Sequence, residues 1–228
     1  MNTLFSPVRA LSMLALGAAV LLPGARPALA DNKATPAFAD FVRAFADVTD
    51  YQAKVTVHET SDDGKDVADW AYDYRWMRPN LARIEVTDGR NKGGVAVWHG
   101  GDKVQGHQGG FLAVVKLNLD IHDKRATSLR GDTIETASFA YDIKHYETTD
   151  GTLAEAAGPA LDGHATTAVT LAVADPKSTG NVTKDVLDIS NATHLPLRRQ
   201  QFIGTQLVKS ETFRDFKANN AFTTGDFS

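Results

Sequence analysis

The 228-residue chain contains no cysteine. That excludes disulfides, thiolate metal centres and a lipid-modified N-terminal cysteine. Its seven histidines, His58, His99, His107, His122, His145, His164 and His194, are scattered, with no H-x-x-x-H pair to hold a metal. Excess positive charge is also missing. The formal charge is −4, and it falls to −6 when the segment 1–30, carrying Arg9 and Arg26, is set aside. A nucleic-acid partner is not expected of such a chain. Past Leu22 there is no apolar run long enough to cross a bilayer.

The usual signatures of catalysis are lacking too. G-x-S-x-G does not occur, so His99-Gly100-Gly101 reads as a hairpin turn and not as part of an oxyanion hole. Neither Gly100-Gly101-Asp102 nor the stretch Gly106–Gly110 has the spacing of a phosphate-cradling loop, or the helix that should follow one. Asp62-Asp63 and Asp132 fall in turn-like contexts, where solvated carboxylates are expected. Asn191-Ala192-Thr193 matches a glycosylation triplet that arises often by chance. No enzyme, no metal and no cofactor is expected from these residues.

What is present begins with a secretion signal. Met1 to Arg9 carries one cation and no acid, and Ala10 to Leu22 has the length of a signal core. Ala28 and Ala30 occupy the small-residue positions of a cleavage site. Cleavage after Ala30 leaves residues 31–228 as a single exported domain, and the lack of a twin-arginine pair points to the general secretory route.

Thr35-Pro36 is a helix start, and Phe38, Phe41, Val42, Phe45 and Val48 share one face of a helix over 36–48. From Tyr51 the period becomes two. Tyr51, Ala53, Val55 and Val57 line one side of a strand, then Trp70, Tyr72, Tyr74 and Trp76 line one side of the next. Ala82, Ile84 and Val86 are in phase on a third. Val95–His99 and Lys103–His107 form a hairpin over Gly100-Gly101, while Phe111–Leu119 is apolar and fits strand or helix. A helix capped by Thr136 and running through Tyr146 follows, then a loop around Gly151–Gly163. Strands are expected near 165–174, 182–190, 195–203 and 206–216.

Short turns between successive strands imply antiparallel pairing. The expected fold is mainly β (α+β): a curved antiparallel sheet, or incomplete barrel, with amphipathic helices packed on one face. The aromatic face around Trp70–Trp76 and the Phe38/Phe41/Phe45 helix admit two readings. They form core, or they wall an apolar cavity able to hold acyl chains.

Trp76-Met77-Arg78-Pro79-Asn80-Leu81-Ala82-Arg83, followed by a strand, Asp88-Gly89 and Val95-Ala96-Val97-Trp98, resembles the LolA-type periplasmic lipoprotein carriers. Those proteins have an amphipathic N-terminal helix, two strands ending in (K/R)RPN, a further strand and a DG turn. The resemblance continues through Leu195-Pro196-Leu197-Arg198, Gly204, Phe213-Arg214-Asp215-Phe216, Asn219 and Phe227, and so covers about residues 36–228.

It implies an unclosed β-barrel lidded by helices, whose interior accepts lipid or lipoprotein acyl chains in the periplasm. A monomer would carry them from an inner-membrane donor towards an outer-membrane acceptor. Phe38, Phe41, Phe45, Trp70, Tyr72, Tyr74, Trp76, Ile84 and Trp98 are then the expected lipid-binding residues. Arg78 matches the arginine that hydrogen-bonds the closed lid; its alternative is a strand-end surface cation. Ala82 departs from the pattern, standing where the lipoprotein carriers have phenylalanine, which keeps free lipid open as a cargo. The same fold also serves as a non-carrying envelope sensor or protein-interaction module.

Overall fold

The computed structural model describes residues 35–110 and 115–228. The expected signal segment and Phe111–Val114 lie outside these. The chain begins with helix α1 (Pro36–Ala46), with Pro36 in its first turn and Phe38, Phe41 and Phe45 buried along one stripe. Six strands follow in sequence: β1 (Asp50–Thr60), β2 (Val67–Met77), β3 (Leu81–Gly89), β4 (Val95–Trp98), β5 (Lys103–His107) and β6 (Leu117–Asp120). Helix α2 (Phe139–Thr148) precedes β7 (Gly151–Ala157), β8 (Thr166–Val173), β9 (Lys184–Ser190), β10 (Pro196–Ile203) and β11 (Gln206–Ala218).

Among the described residues, eleven strands form one antiparallel sheet in the order β6-β5-β4-β3-β2-β1-β11-β10-β9-β8-β7. Two meanders are therefore joined at the middle, where β1 pairs with both β2 and β11. β6 and β7 are the free edges, so the sheet is not closed into a barrel. This is the unclosed, mainly β architecture expected of the sequence.

Alternation places one face inward under the two helices. Val55 on β1 faces Tyr72 on one side and Phe213 on the other, and all three are buried. The Ser61–Lys65 turn closes the β1–β2 hairpin, with Asp63 accepting from the Ser61 hydroxyl and the Lys65 backbone.

Three expectations are corrected. α2 is capped by Ser138 and not Thr136: Ser138 Oγ accepts from the Tyr141 amide at 3.1 Å. The stretch expected as a loop after Gly151 is strand β7, paired along its length with β8. Asp132, expected as a solvated turn carboxylate, lies 2.8 Å from the ammonium of buried Lys209.

The chain also folds back on the outer face of the sheet. Phe227, in a 3-10 turn at Thr224–Phe227, is fully buried. Arg83 donates to the Ser228 carbonyl at 2.8 Å, and His99 lies 2.9 Å from the Phe227 carbonyl.

Candidate ligand-binding interior

The inner face is built from rows of side chains that run across paired strands. One row is Tyr51–Trp76–Ala82–Trp98–Val104–Leu119, from β1 to β6. Ala82 thus sits between two tryptophans, its cross-strand neighbours on either side, and is wholly buried. The bulk that a phenylalanine would bring is supplied by those neighbours. The adjacent row is Ala53–Tyr74–Ile84–Ala96–Gly106–Leu117. Its side chains shrink at Ala96 and Gly106, and a Cβ at Gly106 would run into the Val95 carbonyl.

That loss of bulk leaves a hollow of about 70 Å³ over the β3–β6 wing. Ile84, Val86, Ala96, Val104 and Leu119 line it, with Arg125 and His107 at its polar side. A wider recess of about 310 Å³ adjoins it through Gln108, Leu117 and Arg125, and is bounded by Val115.

Between the helices and β1–β2 the side chains touch. Phe45 is 5.4 Å from Trp76 and 6.0 Å from Tyr51, ring centre to ring centre. Phe38 and Phe41 turn instead to α2, stacking on Tyr146 at 5.6 Å and meeting Phe139 edge-on at 5.9 Å. Trp70 lies at the far end of the face, 4.8 Å from Tyr72. Of the residues expected to bind lipid, Ile84 alone borders the open hollow; Phe38, Phe41, Phe45, Tyr72, Tyr74, Trp76 and Trp98 are packed against other side chains of the chain and are buried.

Two hydroxyls of this cluster are hydrogen-bonded. Tyr51 Oη accepts from the Phe139 amide at 3.1 Å, and Tyr74 Oη donates to the Ile134 carbonyl at 3.3 Å. Burial raises the phenols of Tyr51, Tyr72 and Tyr74 well above their ordinary range, so all three stay neutral.

Arg78 stands at the end of α1. Its Nε donates to the Val48 carbonyl at 2.7 Å and its Nη2 to the Phe45 carbonyl at 3.0 Å. The Phe45 carbonyl belongs to the last turn of α1, at the negative end of its dipole, and also accepts from the Val48 amide at 3.1 Å; Val48 lies just beyond the helix. At the other end, Glu155 of β7 accepts from the Ala37 amide at 3.0 Å. One side chain from each wing of the sheet therefore grips a terminus of α1.

A second set of residues, not singled out from the sequence, lies under α2. Arg199 of β10 sends its Nε and Nη2 to Asp185 of β9, the shortest contact being 2.6 Å, and its Nη1 to Asp142 of α2 at 2.7 Å. Tyr146 and Gln201 also donate to Asp185 at 3.0 Å. Lys209 of β11 pairs with Glu211 at 3.0 Å as well as with Asp132.

Burial alone would raise the Asp185 carboxyl, but Arg199 and His145 hold it far below the carboxylate range. In Asp142 burial prevails over Arg199, with Glu211 and Asp185 adding to it, and the carboxyl is pushed up to about 7. A signal for this cluster did exist. Phe213 sets the inward phase of β11, and counting back by two places Glu211 and Lys209 on the same face.

Similarity to known proteins is structural. No family model matches the chain, and no curated protein matches it. An uncharacterized conserved protein of Thermus thermophilus superposes with a TM-score of 0.52 at 13% identity, covering 83% of this chain and 90% of that one. A putative outer membrane lipoprotein-sorting protein domain of Vibrio parahaemolyticus gives 0.45 at 12% identity, covering 84% and 94%. A LolA superfamily protein of Nitrosomonas europaea gives 0.41 at 13% identity, covering 86% and 98%. At the TM-score of 0.52 the likeness is one of fold alone: an unclosed antiparallel sheet with helices packed on its inner face.

Proposed function

We propose that this protein is a periplasmic carrier that takes acyl chains of a lipid or lipoprotein into the interior beneath α1 and α2, for transport towards the outer membrane. The observation that carries this reading is the apolar row that empties at Ala96 and Gly106. It leaves an open hollow continuous with the aromatic face at Ile84. The polar groups at its edge, Arg125 and His107, suit a headgroup left in water.

Each acyl methylene buried there gains about 0.8 kcal/mol. The packed aromatic layer between the helices and β1–β2 must part for a long chain to enter. Arg78 and Glu155, which hold the two ends of α1, are the contacts that yield at such an opening. Phe38, Phe41, Phe45, Trp70, Tyr72, Tyr74, Trp76, Ile84 and Trp98 then face the cargo. The motifs around Arg78-Pro79-Asn80 and Asp88-Gly89, with their resemblance to the lipoprotein carriers, support the same reading.

A second reading is a sensor or interaction module that carries nothing. The closed packing of Phe45, Tyr51 and Trp76 favours it, because a permanently filled interior needs no cargo. Mild native mass spectrometry of protein from a periplasmic extract, with organic extraction, separates the two. A bound species with the mass of a phospholipid or acylated peptide is the carrier's outcome. A bare polypeptide mass that stays bare after incubation with lipid vesicles would favour the module.

A further inference from the structure

The inner face of the β9–β11 wing is ionic where a core is ordinarily apolar. Glu59, Asp142, Asp185 and Glu211 are buried with Arg199 and Lys209, and Asp132 lies at their edge. Were every carboxyl ionised, five carboxylates would face Arg199 and Lys209, with the His145 ring beside Asp185 as the one further basic group, in a space largely closed to water. An uncompensated buried charge is costly, and such a cluster lowers its free energy by holding protons.

Geometry singles out two carboxyls to hold one: Glu59, whose Oε2 accepts from the Leu129 amide with neither cation in contact, and Asp142. Asp185 receives the fork of Arg199, the Tyr146 hydroxyl and the Gln201 amide, with His145 Nε2 3.3 Å away. Its anion is well satisfied. Glu211 and Asp132 share the ammonium of Lys209. Asp142 has one N–H of Arg199. It is also the member of the set carried on α2, so it loses water when the helix docks, whereas Glu59, Asp185 and Glu211 belong to the sheet itself.

We infer that α2 is a proton-linked lid, docking onto β9–β11 with a proton held at Asp142 and lifting more readily as the medium becomes alkaline. The consequence for cargo rests on the carrier reading; the linkage itself does not.

The groups facing Asp142 are accounted for on every side. Arg199 comes from β10, Asp185 from β9, and Lys209 and Glu211 from β11. Tyr51 of β1 and Tyr74 of β2 offer neutral phenols, and α1 presents Phe38 and Phe41 to α2. On its own helix Tyr141, His145 and Tyr146 are neighbours. The upward displacement of the Asp142 carboxyl agrees with the charge count, as does that of Glu59, raised by its burial.

Asp142 binds its proton more tightly docked than free, so the stabilisation is complete below the ordinary aspartate range and is lost as pH rises through about 7.

Hydrogen exchange of the α2 amides at pH 6 and pH 8, corrected for the intrinsic pH dependence of exchange, tests this on the unmodified protein. Protection of 139–148 is expected to fall about tenfold between the two, the change one such proton imposes across that interval. The amides of β1 serve as the internal control and should change less. Asp142→Asn, a carboxamide in place of the protonated acid, should hold α2 equally protected at both pH values.

Equal α2 protection at pH 6 and pH 8 in the unmodified protein overturns the inference. So does an Asp142→Asn variant that keeps the tenfold change. Binding of the fluorescent fatty acid cis-parinarate, followed in the same samples, keeps the carrier reading separate. A pH-dependent α2 with no uptake at either pH removes the carrier and leaves the proton linkage standing.

Discussion

Arg78 donates to the Val48 carbonyl at 2.7 Å while its guanidinium lies 5.4 Å from the Phe45 ring centre, on the side chain whose helix it caps. The same guanidinium is 5.6 Å from Trp76, so a single cation ties the end of α1 to the rim of β2.

Removing that cation is expected to loosen α1 without emptying the core. Arg78→Leu should lower the stability of the fold by about 1–3 kcal/mol, the range of charge-assisted hydrogen bonds. Exchange of the α1 amides should quicken by a larger factor than that of β8 and β9. If the α1 amides exchange as in the unmodified protein, the grip of Arg78 on the helix has no energetic weight.

Ala96 offers a way to fill the hollow without disturbing the aromatic layer. Ala96→Phe is expected to weaken binding of an acyl probe by about tenfold, the equivalent of roughly two methylenes kept out. The thermal midpoint should change little. Undiminished affinity, measured by fluorescence titration, would move the binding surface away from Ile84 and Ala96.

Ala82 tests the packing explanation for its small side chain. Ala82→Phe should destabilise by about 1–3 kcal/mol, because Trp76 and Trp98 already occupy the flanking space. Urea unfolding measures it. A neutral or stabilising effect would mean that the row from Trp76 to Trp98 has spare room.

The two carboxyls that share Arg199 titrate in opposite senses. Asp185, held far below its ordinary range, contributes stability that is present above about 4 and is lost as acid is added below it. Asp142 contributes stability that is lost as pH rises through about 7. A stability maximum on the acid side of neutrality is expected in urea midpoints taken from pH 3 to pH 9. Asp185→Asn should cost about 3–5 kcal/mol, since it unbalances a buried pair. A midpoint that climbs steadily up to pH 9 would contradict the roles given to both carboxyls.

Local order was readable wherever one period dominates. The phenylalanine stripe of 36–46 and the alternation of Tyr51–Val57 and Trp70–Trp76 could be read because each element carries its own buried face in consecutive residues. β7 escaped because Gly151-Thr152-Leu153-Ala154-Glu155-Ala156-Ala157 has few strand-favouring side chains; it is a strand because β8 offers it a free edge. The candidate site was legible as an aromatic face. Its open part was not, because Ala96 and Gly106 become a hollow only when registered beside Ile84 and Leu117.

By itself, then, the order of residues determined the helix, most of the strands and the apolar side of each, since these follow from spacing along the chain. Tertiary structure alone decided that β1 would lie between β2 and β11, and that α2 would settle over Asp185, Arg199 and Lys209. Those contacts join residues far apart in sequence, and their energies depend on desolvation and charge that no local pattern carries.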